Sequence, residues 1–414
     1  MIAAMVPSVL RVPAFRSLWL SSLASNAGSW LQIVAAGWLV LEMTGSPAAV
    51  GVLALLARAP AFILSGHAGA LADRHDRRTV GAWAFVLQGV AALGLAIVTW
   101  AGAAGVAVIY VLTFAVGTGF ALGLPAMLAL IPSLVAHDRL SQAVSLNAAG
   151  INVARAVGPA IGGVVLATLG AGACFALNAA SFLAMVVALL RLPPAPTSAN
   201  RPPAPVRAAV RHAASDPAAR RLLVGVGIFT ALAAPVQELA PAMAKEVGAG
   251  PRGLGLLLGA MGAGALVGAW LLERLTAAGL RRSRALPAAS ALVAVGVGGV
   301  AVAPGFGTAI AAMAFFGCFW IWLFAGTNTA IQLTAPPHLL GRMLGLYQLA
   351  VIGPIAIGSV AVGGLAEAIG IRWALGASGV ALAVWGLWAL THPVPAIDQD
   401  RRAQREAVTV GAEG

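Results

Sequence analysis

Twelve apolar blocks of about 20 residues recur along this 414-residue chain, each ended by a charged or Pro/Gly-rich break. A helix of that length crosses a hydrocarbon core about 30 Å thick. Inside such a core each segment has to satisfy its own backbone N–H and C=O groups, so these blocks fold as helices. Their approximate bounds are 17–41, 48–71, 79–100, 104–131, 142–169, 171–191, 221–244, 252–275, 284–303, 307–333, 341–367 and 371–391. Only 9% of the residues are charged and 60% are hydrophobic, too little charge to cover a soluble surface. The 50 glycines would weaken helices in water, but in a membrane small residues let helices pack closely. The fold class is an all-α polytopic membrane protein.

A net charge of +12 raises the question of nucleic acid, and the placement of the charge answers it. The arginines cluster between the blocks instead of along one helix face, and no nucleic-acid motif accompanies them. Of 25 basic residues, all but Arg58, Arg155, Lys245, Arg252 and Arg372 lie before block one, in the even-to-odd loops, or after block twelve. The positive-inside rule then puts both termini in the cytoplasm of a bacterial inner membrane. Met1–Leu10 is too short for a cleavable leader, and a full span follows it. The two cysteines, Cys174 and Cys318, sit inside apolar blocks and form neither a disulfide framework nor a thiolate metal site. No metal and no cofactor are expected; a proton gradient is the expected energy source. The expected partners are a small-molecule substrate and the bilayer, with no nucleic acid and a monomeric chain.

The chain divides into an N-terminal six-helix half at 1–191, a Pro/Ala/Arg-rich cytoplasmic linker at 192–220, a second six-helix half at 221–392 and a solvated tail at 393–414. A shift of about 200 residues superimposes the halves in sequence. Pro13–Leu20 (PAFRSLWL) recurs as Pro217–Val224 (PAARRLLV), and Leu71-Ala72-Asp73-Arg74 faces Leu271-Leu272-Glu273-Arg274. Leu146, Gly158, Gly163 and Gly170 face Leu346, Gly358, Gly363 and Gly370. Two parallel repeats of six helices are an architecture of alternating-access transporters.

Gly69-Ala-Leu-Ala-Asp73-Arg74-His75-Asp76-Arg77-Arg78, between blocks two and three, resembles the signature loop of the major facilitator superfamily. Asp76 stands where that pattern has glycine. The resemblance implies a switch in which Asp73 meets the positive N-terminal end of block eleven, near Gly341-Arg342, when the cytoplasmic side is closed. Glu273 and Arg274 take the equivalent place in the second half. In block five, Arg155-Ala-Val-Gly158-Pro159-Ala-Ile-Gly162-Gly163 resembles the glycine-proline motif of exporters in the superfamily, although Ser145 and Ala154 replace glycines upstream. Its glycines bare one helix face and Pro159 bends the span. With the FRSLWL, MTGSP and GRMLGLYQL segments, the whole chain resembles the transmembrane secretion effector branch, which includes siderophore and macrolide exporters.

Ionisable groups inside spans are costly and mark function. Glu238, between Pro235 and Pro241, is the leading proton-coupling candidate; its alternatives are a rim charge or a partner for an arginine. Glu42 is the second candidate, with a rim position as the simpler reading. Arg155 either tunes an acid or attracts an anionic substrate group, or it satisfies carbonyls at the Pro159 bend; Arg58 has the same two readings, with the structural one ahead. Polar and aromatic residues at odds with a lipid face are cavity candidates: Asn26, Trp30, Gln32, Asn147, Asn152, Asn178, Gln237, Trp320, Asn328, Gln332, Tyr347 and Gln348. Trp19, Trp100, Trp373 and Trp388 read as interfacial belt residues.

The expected function is proton-coupled export of small amphipathic compounds, drug-like or siderophore-like, by rocking of the two halves. The alternatives are import of a nutrient or siderophore, and a non-transporting scaffold or sensor. No zinc, nucleophile-elbow or phosphate-loop motif is present, which argues against an enzyme and against ATP-driven pumping by this chain alone.

Overall fold

The computed structural model describes residues 8–193, 206–336, 338–392 and 394, without the side chains at 65, 66, 70, 72, 73, 137, 206 and 282. Most of the expected linker and nearly all of the tail lie outside the described residues. Among the described residues every regular element is helical. The first half contains α1 (Pro13–Thr44), α2 (Pro47–Arg74), α3 (Arg77–Trp100), α4 (Val106–Leu130) and α5 (Leu140–Leu190). Then come α6 (Val206–Ser215), α7 (Pro217–Ala233), α8 (Pro235–Glu238), α9 (Ala240–Glu246) and α10 (Pro251–Ala277). The chain finishes with α11 (Arg282–Val302), α12 (Phe306–Thr334), α13 (Leu340–Ile369) and α14 (Ile371–Thr391).

Among the described residues, ten helices are long and apolar enough to cross a membrane. Two further crossings complete the twelve that the apolar blocks predict. The 51-residue α5 is broken at Gly170, whose φ of 81° and ψ of 175° suit glycine alone, so it crosses twice. The 32-residue α1 is long enough, but Ser25, Asn26, Ser29 and Gln32 dilute its hydropathy.

The ends of the helices follow from local chemistry. Gly45 closes α1 at φ 68°, and Ser46 Oγ caps α2 by accepting from the Ala49 amide at 3.1 Å, with Pro47 next. These are the residues of the MTGSP turn. Asp216 caps α7 in the same manner, bonding the amides of Ala218 and Ala219 ahead of the PAARRLLV repeat. Asp76 caps α3 by accepting from the Arg78 amide at 3.0 Å. The departure from the family glycine therefore serves as a cap.

The repeat also appears as matched helix contacts. Gly158 lets Trp30 of α1 pack on α5, and Gly358 lets Ala231 of α7 approach α13. Gly163 meets Gly255 of α10, and Gly363 meets Pro47 of α2. Gly170 and Gly370 both turn the chain with positive φ. Each contact has its counterpart about 200 residues away, as expected of two parallel six-helix repeats. Large side chains such as Trp83, Ile63 and Trp373, at 70%, 62% and 75% exposure, cover the outside, where a bilayer is the only solvent that suits them.

One assignment needs correcting. Trp19 is not a belt residue: it is half-buried and its indole N–H bonds the Leu146 carbonyl at 3.0 Å.

The two ends of the bundle differ. The end bearing Arg16, Arg74, Arg77, Arg139 and Arg342 is called the basic end; Gly170 and Gly370 turn at the far end. Contacts between α2 and α13 run from Gly363–Pro47 at the far end, through Gly51–Ser359, to Gly353–Phe62 near the middle of both helices. Contacts between α5 and α10 run from Gly163–Gly255 to Gly262–Ala156. Toward the basic end, Gly69, Gly341 and Gly345 have open space where a side chain would stand. The halves therefore meet from the far end to the middle of these helices.

Candidate functional site

Where block seven was read as one kinked span, the structure has three pieces. Pro235 lacks an N–H and its ring crowds the preceding turn, so α7 stops at Ala233. The single turn α8 carries Gln237 and Glu238, and α9 resumes with Pro241 in its first turn. This break turns Glu238 toward α2. Its carboxylate is 7% exposed and accepts from Arg58 Nη2 at 2.6 Å and from Gln237 Nε2 at 3.2 Å. Arg58 spends a second nitrogen on the Ala54 carbonyl at 3.2 Å. Glu238 thus pairs with an arginine, and Arg58 bridges the halves. Glu42, by contrast, is exposed at the far end of α1 and lies outside the interior.

Directly beside Glu238 lies a cleft of about 270 Å³, lined by Trp30, Arg155, Gln237, Leu258, Met261, Gly262, Ala265 and Trp320. Both halves contribute to it. Trp30 stands over the face of α5 that Gly158 leaves bare. Trp320 is backed by Phe229, Phe316 and Phe324 at centroid distances of 4.8, 5.6 and 6.5 Å. Arg155 sits midway along the first crossing of α5, about 22 Å from either end at 1.5 Å per residue. Among the described residues it makes no ion pair and no hydrogen bond. The carbonyl-satisfying alternative for Arg155 therefore has no bond behind it. A guanidinium without a partner, in a cleft that two indoles also line, can hold an anionic group beside aromatic rings.

The structure thus brings Trp30, Arg155, Gln237 and Trp320 together, and leaves other cavity candidates elsewhere. Gln32 and Asn178 are buried, and Asn178 Nδ2 donates to Gln32 Oε1 at 2.7 Å across α1 and α5. Tyr347 is fully buried with its hydroxyl on the Phe324 carbonyl at 2.8 Å. Asn26 bonds the Ser22 carbonyl of its own helix, and Gln332 bonds Asn328 one turn away. Asn147 and Asn152 are half-buried on α5, and Gln348 is exposed on α13. Leu258 and Met261, apolar letters in an apolar helix, carried no sequence signal as cleft residues.

In the signature loop, Arg77 donates to the Ala129 carbonyl of the first half at 3.2 Å, and Arg78 to the Leu192 carbonyl at the start of the linker at 2.7 Å. Arg74 is exposed, the side chain of Asp73 is outside the described set, and Arg342 is half-buried at the start of α13. Glu273 is exposed, and Arg274 lies over the Trp270 ring at 5.3 Å. Gly158, Pro159, Gly162 and Gly163 are all buried at helix crossings.

Comparison with known proteins agrees with this architecture. The family model described as transmembrane secretion effector matches residues 3–410. The enterobactin exporter EntS of Citrobacter koseri is 30% identical over 388 residues, covering 91% of this chain and 90% of that protein. Its counterpart in Salmonella typhimurium is 29% identical over 385 residues, covering 91% and 92%. Among solved structures, a bacterial homologue of the lysosomal transporter Spinster, inward-facing and unoccupied, has a TM-score of 0.73 at 15% identity, covering 94% of this chain and 98% of that one. A bacterial homologue of ferroportin, inward-facing, has a TM-score of 0.70 at 17% identity, covering 92% and 98%. A D-xylose–proton symporter scores 0.70 at 16% identity, covering 91% and 97%. At these identities the solved structures establish the fold. The chain belongs to the transmembrane secretion effector family of the major facilitator superfamily and is a multi-pass secondary transporter of the membrane.

Proposed function

We propose that this protein exports a small anionic amphiphile carrying aromatic rings, in exchange for protons, with both termini cytoplasmic. The observation that carries the proposal is Arg155, an unpaired cation in an aromatic cleft between the halves. A fixed positive charge disfavours cationic drugs and favours anions, so the siderophore-like reading stands ahead of the drug-like one. Relatives named as enterobactin exporters support the same class and the same direction. The distribution of arginines makes the basic end cytoplasmic, and the cleft then opens inward, where an exporter collects its cargo.

The Arg58–Glu238 pair gives this reading a coupling device. It joins α2 of one half to α8 of the other at the closed side. The pair is strongest with an ionised carboxylate, and protonation would weaken it. An anion drawn to Arg155 meets Gln237, whose amide helps hold Glu238. Loosening that hold weakens the pair and lets the far end open. Glu238 then faces the periplasm and takes a proton; neutral, it allows closure, and re-forming the pair expels the proton inward. Net drive comes from the different affinities of the two states for anion and proton.

The test replaces Arg155 by glutamine. Losing a charge-assisted hydrogen bond of about 1.5–3 kcal/mol predicts an apparent affinity for a tricatecholate lower by about ten- to a hundredfold. Uptake of a cationic dye into inverted vesicles should not fall. Unchanged catecholate transport by Arg155→Gln would remove the basis of the substrate class.

A further inference from the structure

A second cavity, of about 600 Å³, lies wholly within the second half, between α7, α11, α12 and α14 at the basic end. Its interior is apolar, walled by Leu222, Phe229, Leu286, Leu323 and Trp385. Polarity is confined to particular places. Arg221 and His392 stand exposed at the mouth, and Arg221 pairs with no acid among the described residues. Deeper in, Ser290 and Thr327 line the cavity at 4% and 5% exposure, and neither hydroxyl has a hydrogen-bond partner among the described residues. These hydroxyls open into the chamber, where a ligand that offers acceptors at their depth would bond them.

The geometry points to a binding site for an anionic glycerophospholipid, with its phosphate on Arg221, its ester carbonyls at Ser290 and Thr327, and an acyl chain against Leu222 and Phe229. Three observations single out this occupant. The cation lies at the membrane-surface end of an otherwise apolar chamber, the order of charge and hydrocarbon in a lipid. The hydroxyls sit between the two, where a lipid carries its esters. The same end also presents exposed Arg207, Arg211 and Arg284, a positive field that gathers anionic headgroups at about 1 kcal/mol per residue near the surface. The chamber's inner wall has a further consequence. The Phe229 ring contacts Trp320 at 4.8 Å, and Trp320 lines the central cleft. A bound acyl chain therefore props one wall of the transport site.

The test is thermal unfolding of the purified full-length protein in detergent, titrated with phosphatidylglycerol, phosphatidylcholine or lauric acid. Wild type should show a larger upward shift with phosphatidylglycerol than with either other ligand. Arg221→Gln should lose that preference, and Ser290→Leu, which fills the chamber, should lose the shift itself. Arg284→Gln, at the same end but outside the chamber, should keep both. Equal shifts with phosphatidylcholine would overturn the proposal, as would full preference in Arg221→Gln. A lauric acid response matching phosphatidylglycerol would assign the chamber to a free amphiphile, and loss in Arg284→Gln would reduce the effect to general surface charge.

Discussion

Glycine at position 170 holds a backbone conformation, φ 81° and ψ 175°, that a side chain opposes. Gly170→Ala should therefore cost about 1–3 kcal/mol, read as a lower midpoint of thermal unfolding. Gly364→Ala, on an exposed helical face with open space around it, should be neutral or slightly stabilising. Single residues are also where sequence reading met its limits. Arg155, Trp30, Gln237 and Trp320 were legible because each is out of place in a lipid-facing helix. Gln32 and Asn178 were out of place for the same reason, yet they satisfy one another. The sequence shows that a buried amide needs a partner and not which partner it has. Asn178→Ala should then leave Gln32 unsatisfied at about 1–3 kcal/mol, while Gln32→Leu with Asn178→Leu together should cost less than the single change. A double-mutant cycle on unfolding midpoints checks this.

Among the elements, the α7–α8–α9 break shows both what was legible and what was hidden. Pro235 and Pro241 announced a loosened span in the sequence. They could not announce that the loosened turn would meet Arg58, which lies 180 residues away in the chain and was read as structural. The crossing of α5 and α10 has the opposite history, since its glycine pattern foretold a close approach. A side chain at Gly163 would begin 2.6 Å from the Gly255 Cα, and the facing atoms are backbone that has no room to yield. Gly163→Leu should keep the far end from closing. A cysteine placed near that end should then label with a membrane-impermeant thiol reagent much faster than in the wild-type background, while transport falls.

At the scale of the molecule, the fold was readable because the bilayer leaves few solutions: twelve apolar blocks, a repeat and a basic side define two six-helix bundles. The conformational state was not readable, because a sequence that rocks encodes both states and names neither. Closure at the far end rests on the glycine crossings, on the Arg58–Glu238 pair, and on Ser46, whose hydroxyl bonds Glu367 of α13 at 2.7 Å. In a background lacking Cys174 and Cys318, Ser46→Cys with Glu367→Cys should cross-link under mild oxidation and stop transport. Reduction should restore it.

The most direct measurement compares two modes of transport in vesicles containing Glu238→Gln. With the carboxylate gone, the protein can carry no proton at this site, but its cleft and Arg155 are intact. The account predicts that accumulation of a catecholate driven by an imposed proton gradient is lost, while gradient-free exchange of labelled for unlabelled substrate continues. Full, uncoupler-sensitive accumulation by Glu238→Gln would contradict the central claim that the Arg58–Glu238 pair couples protons to export.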